Sequence, residues 1–510
     1  MGQIKVSVIV PVYNAGPMVE EFAPSLLAQT IDGYEILYVD DGSTDDSWER
    51  LQRLAAAHDH VRVHTQENSG WPGRPRNVAV RMARGEYVHF VDQDDLLAPD
   101  ALERLYEFAV ASDADVVIGK ESGSMVPAGA NPGGLFRETR ARCGRSEVFE
   151  YSLNPHKLYS RRLLLNNDLR FPEGPWILED QLFNARVCAA TDKIAVLADQ
   201  VYYRWQRRGD SGNNSRAGAQ LETYLPNLRT VLEAVAAVGD PMLFVRFYRT
   251  EILQFVSGAN ILEVPWETVQ ERFAEVRKIA ADCLPPGLRA HLAPLDALKA
   301  RLFEEERLDD LAALARWAPG VSMTAEVDAP RWEDGVLTAR AAVALVRPEG
   351  GPLRPERRGG VWVVPDVPGV GDWEIDDPGQ GFRGDLLAKD RDRDDWWFLP
   401  ERLAVEPDGG AAAGAVRFDP RSVIGGGPAE RGVYDVWARV DLLGLGRRVR
   451  LTGGAEPSGA AAEPALVGAD SVAVQPFWTS GRQLAVDVGE RQRSLSAAVA
   501  ARPMAVPAAT

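Results

Sequence analysis

The sequence predicts an α/β fold in its N-terminal part, with helices covering both faces of a parallel sheet, followed by a helical segment and a β-rich C-terminal region. Between residues 6 and 108, short apolar runs alternate with amphipathic stretches, which is the pattern of βαβ units. After residue 217 helical periods dominate, and from residue 321 onward Gly and Pro punctuate short segments of alternating polarity. At 510 residues the chain is longer than one ordinary domain.

The N-terminal elements follow one another without long interruptions. Strand-like runs cover residues 6–10, 35–39, 61–64 and 86–91, and helical patterns cover residues 19–29, 45–57 and 74–83. Nearly continuous apolar strands are expected when helices cover both faces of a sheet. Ligands of such open sheets bind beyond the carboxyl ends of the strands. The polar clusters at residues 11–14, 40–45 and 92–94 are therefore expected to meet at one edge of the sheet.

An acidic triplet, Asp92-Gln93-Asp94, directly follows the fourth strand-like run. Carboxylates at the end of a strand suit Mg²⁺ or Mn²⁺, whose coordination shell the phosphates of a substrate complete. The alternative is that Asp94 and Asp95 only precede the next helix, where acidic side chains complement the helix dipole. The triplet alone leaves both interpretations open.

Four segments together resemble the successive motifs of the family 2 glycosyltransferases, which have the GT-A fold. They are Val-Ile-Val-Pro-Val-Tyr-Asn at residues 8–14, Val-Asp-Asp-Gly-Ser-Thr-Asp at 39–45, Asn-Val-Ala at 77–79 and Val-Asp-Gln-Asp at 91–94. The resemblance covers residues 4–215 and implies a site for a nucleotide-sugar donor. No Gly-x-Gly-x-x-Gly follows the first strand, which disfavours a Rossmann dehydrogenase.

The resemblance implies roles for individual residues that bind the donor. Pro11 and Tyr13 would frame the base, and Asp41 would accept a hydrogen bond from N3 of uracil. Arg76 would reach the base or the phosphates, although a lone Arg is usually a solvated surface charge. Asp92 would face the ribose and the metal.

Asp94 would then ligate a Mn²⁺ or Mg²⁺ ion together with Asp92. A cation beside the diphosphate lowers the energy of the leaving group as negative charge develops on it.

A second acidic pair, Glu179-Asp180, interrupts an apolar stretch where a helical pattern begins. It resembles the Glu-Asp motif of inverting members of the family, in which the Asp is the general base. Inversion needs a base on the side of the anomeric carbon opposite the leaving nucleotide. The resemblance assigns this role to Asp180, with Glu179 beside it. The alternative is that both carboxylates only stabilise the N-terminus of the helix.

Residues 202–215 combine a strand-like start with a basic loop rich in Gly, Ser and Asn. In similar enzymes such a loop closes over the donor diphosphate. Arg204, Arg207 and Ser211 would then neutralise phosphate and exclude water, since donor hydrolysis competes with transfer. A disordered surface loop is the alternative.

Composition excludes some functions. The net charge of −17 disfavours a nucleic-acid partner, which would require a basic surface. The three cysteines are far apart and indicate neither a disulfide scaffold nor a zinc site. The sequence has no apolar run of 18 residues and no signal peptide, so we expect a soluble, cytoplasmic protein. Peripheral association with the inner face of the membrane stays open, because acceptors of this sort are assembled on lipid carriers.

The changes in sequence character predict four segments: a GT-A catalytic domain (1–216), a helical connector (217–320), and two immunoglobulin-like β-sandwiches (321–405 and 406–510). A single combined β region is the alternative to the last two.

This architecture resembles the bacterial enzymes that attach sugars to wall teichoic acid, whose C-terminal modules aid oligomerisation or polymer contact. The resemblance implies inverting, metal-dependent transfer from a UDP-sugar to a hydroxyl of a glycan or polyol-phosphate polymer, and a homo-oligomer formed through the C-terminal region. Three alternatives stay open: a glycosyltransferase for an exopolysaccharide or a small molecule, a catalytically silent glycan-binding scaffold, and a nucleotidyltransferase. Intact Asp94 and Asp180 disfavour the silent scaffold. The nucleotidyltransferase would need a Gly-rich loop that is not found after the first strand.

Overall fold

In a computed structural model, the chain divides into two compact units, residues Met1–Leu243 and Phe244–Thr510. The structure describes residues 3–123, 134–206, 221–453, 461–467, 472–489 and 504–505. The first unit extends beyond the predicted boundary at residue 216, because the helix Leu221–Ala236 belongs to it and contacts the helix Glu179–Ala190.

The first unit alternates strands and helices as the sequence predicts. Its strands are β1 (Val6–Val12), β2 (Tyr34–Asp40), β3 (Val61–Thr65), β4 (Tyr87–Phe90), β5 (Leu96–Leu97), β6 (Val116–Gly119), β7 (Glu121–Gly123), β8 (Leu158–Ser160), β9 (Ile194–Leu197) and β10 (Tyr203–Trp205). Its helices are α1 (Met18–Leu27), α2 (Ser47–Ala57), α3 (Gly73–Met82), α4 (Ala101–Ala111), α5 (Arg145–Tyr151), α6 (Arg161–Asn166), α7 (Glu179–Ala190) and α8 (Leu221–Ala236), with 3₁₀ turns at Gly134–Arg137 and Pro241–Leu243.

The main sheet of this unit has the strand order β3-β2-β1-β4-β8-β6-β9. Neighbouring strands are parallel except around β8, which is antiparallel to both β4 and β6. Apolar side chains of β1, β2 and β4 are fully buried because helices cover both faces, as with Val8, Ile36 and Val88. The predicted α/β class is therefore confirmed.

A small second sheet lies beside the acidic triplet. β10 pairs antiparallel with β5 and parallel with β7. Because β5 begins one residue after Asp95, this pairing brings the aromatic residues of β10 next to the triplet.

The second unit begins with helices and continues as strands. The helices are α9 (Phe244–Phe247), α10 (Ala259–Leu262), α11 (Trp266–Cys283), α12 (Pro294–Glu304) and α13 (Leu308–Trp317), with a π-helical turn at Tyr248–Ile252 and 3₁₀ turns at Leu253–Val256, Leu288–His291 and Ala318–Gly320. The strands are β11 (Ser322–Val327), β12 (Arg331–Glu333), β13 (Val336–Val346), β14 (Glu356–Arg358), β15 (Val361–Val367), β16 (Gly371–Ile375), β17 (Arg383–Asp390), β18 (Trp396–Arg402), β19 (Ala404–Val405), β20 (Ala411–Phe418), β21 (Gly432–Leu442), β22 (Leu445–Arg450), β23 (Thr452–Gly453), β24 (Ala465–Val467), β25 (Val472–Trp478), β26 (Leu484–Val488) and β27 (Met504–Ala505).

In the second unit, strands from both sides of the predicted boundary at residue 405 belong to the same sheets. One sheet has the order β19-β20-β13-β11-β23 with β12 added to β13, a second is β14-β15-β16, and a third is β18-β17-β21-β26-β25-β24-β27 with β22 added to β21. β13 pairs with β20, and β17 pairs with β21, across that boundary. The pairing favours the combined β region over two separate sandwiches. The β-rich character is confirmed, and its immunoglobulin-like form stays a prediction.

Among the helices of the described residues, none has the length and low charge content that crossing a bilayer requires.

Candidate active site

The three predicted polar clusters meet at the carboxyl edge of the main sheet. The Tyr13 backbone N–H donates to Oε1 of Gln93 at 2.9 Å, and Nε2 of Gln93 donates to the Tyr13 carbonyl at 3.2 Å. The Asn14 backbone N–H donates to the Ser43 hydroxyl at 2.9 Å. These bonds join the ends of β1, β2 and β4, so the prediction that the clusters share one edge is confirmed.

Asp92 lies at the centre of this edge. Its Oδ1 accepts a 2.8 Å hydrogen bond from Nη2 of Arg76, and its Oδ2 lies 3.2 Å from Nε2 of His156. Burial raises the pKa of Asp92, but its interactions with Arg76 and His156 outweigh burial and hold the pKa well below its usual range. Asp92 is therefore a carboxylate at neutral pH, and a third of its side chain is exposed.

His156 is a functional candidate that the sequence analysis missed. Its imidazole is 2% exposed, stacks on Tyr203 with ring centroids 4.2 Å apart and meets the edge of Trp205 at 4.6 Å. Burial lowers the pKa of His156, but the Asp92 carboxylate raises it above the ordinary value. His156 is 64 residues from Asp92 in the chain, and no spacing pattern links the two.

Asp95 lies beside the same aromatic residue. Its Oδ2 accepts a 2.6 Å hydrogen bond from the Tyr203 hydroxyl, and its Oδ1 accepts from the Gln206 backbone N–H at 2.8 Å. Burial raises the pKa of Asp95 to about 7. The Tyr203 hydroxyl also accepts from the Asp92 backbone N–H at 3.2 Å, so β10 fixes the acidic loop through both residues.

Asp92, Asp95 and His156 offer ligand atoms that all lie within 4.8 Å of one another. Two carboxylates and an imidazole are a donor set that suits a first-row divalent cation such as Mn²⁺. The predicted ligand Asp94 is buried but is not one of this group, and its metal role stays a prediction.

Arg76 joins the acidic triplet to the second acidic pair. It lies in the first turn of α3 and is 3% exposed, which excludes a solvated surface charge. Besides Asp92, its Nη1 donates to Oδ1 of Asp180 at 3.1 Å and lies 3.8 Å from Oε1 of Glu179. The guanidinium also stacks over the Phe171 ring at 5.1 Å. One buried cation thus faces three carboxylates from distant parts of the chain.

The local fold of α7 presents the acidic pair to this cation. Leu178, directly before the helix, has a φ of 67°, a left-handed conformation that costs a non-glycine residue free energy. Buried Asn184 donates from Nδ2 to the Asp180 carbonyl and to the Leu153 carbonyl, both at 2.9 Å. The Tyr159 hydroxyl donates to Oδ1 of Asn184 at 2.9 Å. These contacts fix the start of α7 beside the segment that carries His156.

The acidic pair holds protons more tightly than ordinary carboxylates do. Burial and the charge of Asp180 raise the pKa of Glu179 to about 8. Burial also raises the pKa of Asp180, although Arg76 opposes this shift. A raised pKa improves a carboxylate as a proton acceptor near neutral pH.

Stability is expected to depend on pH through Glu179. Its pKa rises from an ordinary 4.5 to about 8 on folding, so the folded state binds the proton more tightly between these values. The free energy of unfolding should therefore fall as the pH rises from 5 to 8. Urea unfolding across this range should show a shallower decline in Glu179→Gln than in the native chain. Equal declines would contradict the shift.

The residues predicted to bind the base of the donor lie at the same edge of the sheet. Asp41 is 4% exposed and accepts from Nε2 of Gln66 at 2.6 Å and from the Ser69 backbone N–H at 3.0 Å. Pro11 is buried within β1, whereas the Tyr13 side chain is 45% exposed at the edge. The loop around Asp41 thus fixes its carboxylate, and the predicted contacts of all three residues with a base stay predictions.

Only part of the loop predicted to close over the diphosphate lies among the residues that the structure describes. Arg204 lies half-buried in β10, and Arg207 and Ser211 lie outside the described residues.

Comparison with known proteins gives a family for this fold and site. Residues 7–134 match the model for glycosyl transferase family 2, and residues 221–315 match the glycosyl transferase TarS linker domain. A crystal structure of Staphylococcus aureus TarS 1–349 in complex with UDP-GlcNAc superposes with a TM-score of 0.54 at 26% identity, covering 61% of this chain and 91% of that one.

Two curated relatives share the N-terminal half. The poly(ribitol-phosphate) beta-glucosyltransferase of Bacillus spizizenii is 34% identical over 46% of this chain, but the chain spans only 37% of that protein. The poly(ribitol-phosphate) beta-N-acetylglucosaminyltransferase TarP of Staphylococcus aureus is 30% identical over 45% of this chain and 72% of TarP. With the family 2 motifs at one sheet edge and most of TarP matched, this chain belongs to glycosyltransferase family 2.

Proposed function

We propose that this chain transfers a sugar from a UDP-sugar to a hydroxyl group of a polyol-phosphate polymer of the cell envelope, with inversion at the anomeric carbon. The observation that carries the proposal is the convergence of Asp180 and Asp92 on Arg76 at the carboxyl edge of the sheet. The names of the two curated relatives, which act on poly(ribitol-phosphate), support the acceptor class. The UDP-GlcNAc complex of TarS supports the donor class.

Asp180 is the proposed general base. Its carboxylate would take the proton of the acceptor hydroxyl as the oxygen forms a bond to the anomeric carbon, while the bond to UDP breaks and UDP leaves with the electron pair. The raised pKa of Asp180 supports this role, since a carboxylate with a higher pKa is a stronger base. Arg76 would orient the carboxylate by its hydrogen bond. Glu179 would stay largely protonated beside it, because its pKa is about 8.

The donor would bind along the edge of the sheet. Pro11 and Tyr13 would frame the uracil, and Asp41 would accept from N3, since its carboxylate is already held in place by two neighbouring residues. Arg204 would face the diphosphate.

A divalent cation fits the acidic loop. Asp92, Asp95 and His156 would hold it, because their ligand atoms lie within 4.8 Å of one another, and Asp94 is the further ligand that the resemblance implies. When bound, such a cation supplies electrostatic stabilisation to a leaving diphosphate. Tyr203 would orient this loop through its hydrogen bonds to Asp92 and Asp95.

The proposed function is tested first by calorimetric titration of the full chain with UDP, GDP, CDP and dTDP, each with Mn²⁺ and with EDTA. We expect selective UDP binding that Mn²⁺ strengthens. Transfer is then measured from UDP-glucose and UDP-GlcNAc to poly(ribitol phosphate). Binding of no nucleotide would contradict the donor site, and UDP binding without transfer to the polymer would contradict only the acceptor.

Replacement of Asp94 distinguishes the two candidate ligand sets. If Asp94 ligates the cation, Asp94→Ala should weaken UDP binding in Mn²⁺ at least about tenfold, while UDP binding in EDTA stays unchanged. His156→Ala in the same titration tests the group that the geometry favours. The exposed Asp113→Ala serves as the matched control. If EDTA leaves the UDP affinity of the native chain unchanged, neither ligand set holds a cation needed for donor binding.

The C-terminal β region is proposed to support oligomerisation or contact with the polymer, in an immunoglobulin-like arrangement. Its sheets, which combine distant strands, support a single structural module.

A further inference from the structure

A cavity of about 430 Å³ lies within the second unit, and none of the residues that line it is proposed for sugar transfer. It is formed where α12 and α13 face the turn between β21 and β22. Its volume lies in the range of about 300–1,000 Å³ that is typical of pockets for small organic ligands. We call it the connector cavity.

The walls of the connector cavity are fixed by backbone contacts. The Leu295 N–H, in the first turn of α12, donates to the Leu443 carbonyl at 2.9 Å. Gly444 has a φ of 82°, and a Cβ there would lie 3.0 Å from Cβ of Leu295, so the β turn and α12 are in close contact. The connector also departs from a regular helix here, with a π-helical turn at Tyr248–Ile252 and a reversal at Gly258. The cavity is therefore a preformed feature of the unit.

The lining is mainly aliphatic. It includes Val256, Leu295, Leu311, Leu314, Ala315 and Leu445, and none of the described residues that line it is aromatic. Sugar rings are usually bound against aromatic faces, whereas aliphatic walls of this kind suit a hydrocarbon chain. The lining therefore favours an alkyl group over a sugar as the occupant.

Two cations complete the lining, and they differ in their partners. Lys299 forms an ion pair with Asp296 at 2.9 Å. Arg447 makes no ion pair with a carboxylate of the described residues: its hydrogen bonds go to the carbonyls of Ala318 at 3.3 Å, Val321 at 3.2 Å and Gly446 at 2.9 Å. These bonds use three of its five N–H donors. A positive charge without a carboxylate partner thus borders an aliphatic cavity.

We propose that the connector cavity binds an anionic amphiphile, with its aliphatic chain against the leucine walls and its phosphate or carboxylate group on Arg447. Charge complementarity selects the head group, because a guanidinium forms strong hydrogen bonds with both of these anions. The aliphatic lining selects the chain. Binding in the connector cavity does not depend on the proposed transfer reaction, and the cavity is lined by a separate part of the chain.

The test uses calorimetric titration of the full chain with octyl phosphate, 1-octanol and inorganic phosphate. We expect octyl phosphate to bind with a stoichiometry of one, because both parts of the cavity are then occupied. Without the charge-assisted hydrogen bonds, 1-octanol should bind roughly tenfold to a hundredfold more weakly. Inorganic phosphate should not bind measurably. Equal affinities for octyl phosphate and 1-octanol, or binding of inorganic phosphate alone, would overturn the proposal.

Variants of residues that line the connector cavity test whether octyl phosphate binds there. Ala315→Trp should fill the cavity and abolish octyl phosphate binding, and Arg447→Gln should weaken it toward the level of 1-octanol. Arg447→Lys keeps the charge and should retain most of the affinity. Arg316→Gln, an exposed cation on the same helix α13, is the matched control and should bind as the native chain does.

Thermal unfolding of each variant shows whether it is folded. If folded Ala315→Trp and Arg447→Gln bind octyl phosphate as tightly as the native chain does, the proposal is overturned. If Arg447→Gln does not fold, the octyl phosphate affinities of Ala315→Trp and Arg316→Gln still show whether the ligand binds in the connector cavity. Absence of octyl phosphate binding, together with a dimer that Ala315→Trp dissociates, would show instead that a second copy covers the cavity.

Discussion

Asp180→Asn is expected to reduce sugar transfer by about 10²–10⁴-fold, the contribution typical of general base catalysis, while UDP affinity stays within a few-fold of the native value. The asparagine keeps the size of the side chain and an oxygen that accepts from Arg76, so the geometry of the site should persist. It removes the group that takes the proton, together with the negative charge that pairs with Arg76. The measurement is initial-rate transfer under saturating donor, beside calorimetric UDP binding.

The control for this substitution is Asp168→Asn. Asp168 is a carboxylate with 73% of its side chain exposed, so the same chemical change occurs outside the site. The control should transfer sugar at the native rate. Unchanged turnover in Asp180→Asn would exclude Asp180 as the base, whereas equal loss of UDP binding and turnover would indicate that the carboxylate mainly orders the donor site.

The pH dependence of transfer provides a further check on this role. The pKa of Asp180 is raised by burial, so the rate should increase with pH through a limb that lies above the ordinary range for Asp. That limb should be absent from the residual activity of Asp180→Asn, because the titrating group is gone. A persistent limb would assign it to another group.

The sheet and its polar edge could be predicted because their signals are local. Each strand-like run and the polar residues after it lie within a few positions of one another, and parallel pairing then brings the strand ends together. The backbone link between Tyr13 and Gln93 is a direct result of this arrangement. Asp92 and Asp180 could be predicted for the same reason, because each lies in a short segment that resembles a family motif.

The support of the acidic loop could not be predicted, because it depends on pairing between distant segments. Tyr203 reaches Asp95 across 108 residues, only because β10 pairs with β5 and β7. His156 reaches Asp92 from the segment before β8, which is antiparallel to β4. A short strand of three residues carries too weak a periodic signal to locate its partners.

Pairing between distant segments also explains why the sequence predicted two separate sandwiches in the β region. Alternating polarity in the sequence indicates strands and their approximate ends, but it carries no information on which strand pairs with which. β13 pairs with β20, which begins 65 residues after β13 ends, as the positions Val346 and Ala411 show. A boundary placed at residue 405 from local composition therefore divided strands that share a sheet.

Arg76→Ala is expected to destabilise the first unit by about 3–5 kcal/mol, the typical effect of removing one partner from a buried ion pair. Arg76 is 3% exposed and is the cation shared by Asp92, Asp180 and Glu179, so its loss leaves the carboxylates of Asp92 and Asp180 and the carboxyl group of Glu179 facing one another in a partly buried site. Urea unfolding, followed by a signal from the first unit, measures the change. Arg74→Ala, in the same turn of α3 but partly exposed, should have little effect.

Two further variants distinguish charge from geometry in the role of Arg76. Arg76→Lys keeps the cation but lacks the planar fork that contacts Asp92 and Asp180 through separate nitrogens, so it should recover part of the stability and little of the transfer rate. The double variant Arg76→Ala with Asp180→Asn should be more stable than Arg76→Ala alone, because it removes one of the unpaired carboxylates. If the two losses of stability simply add, Arg76 and Asp180 are not coupled, and the cation does not organise the proposed base.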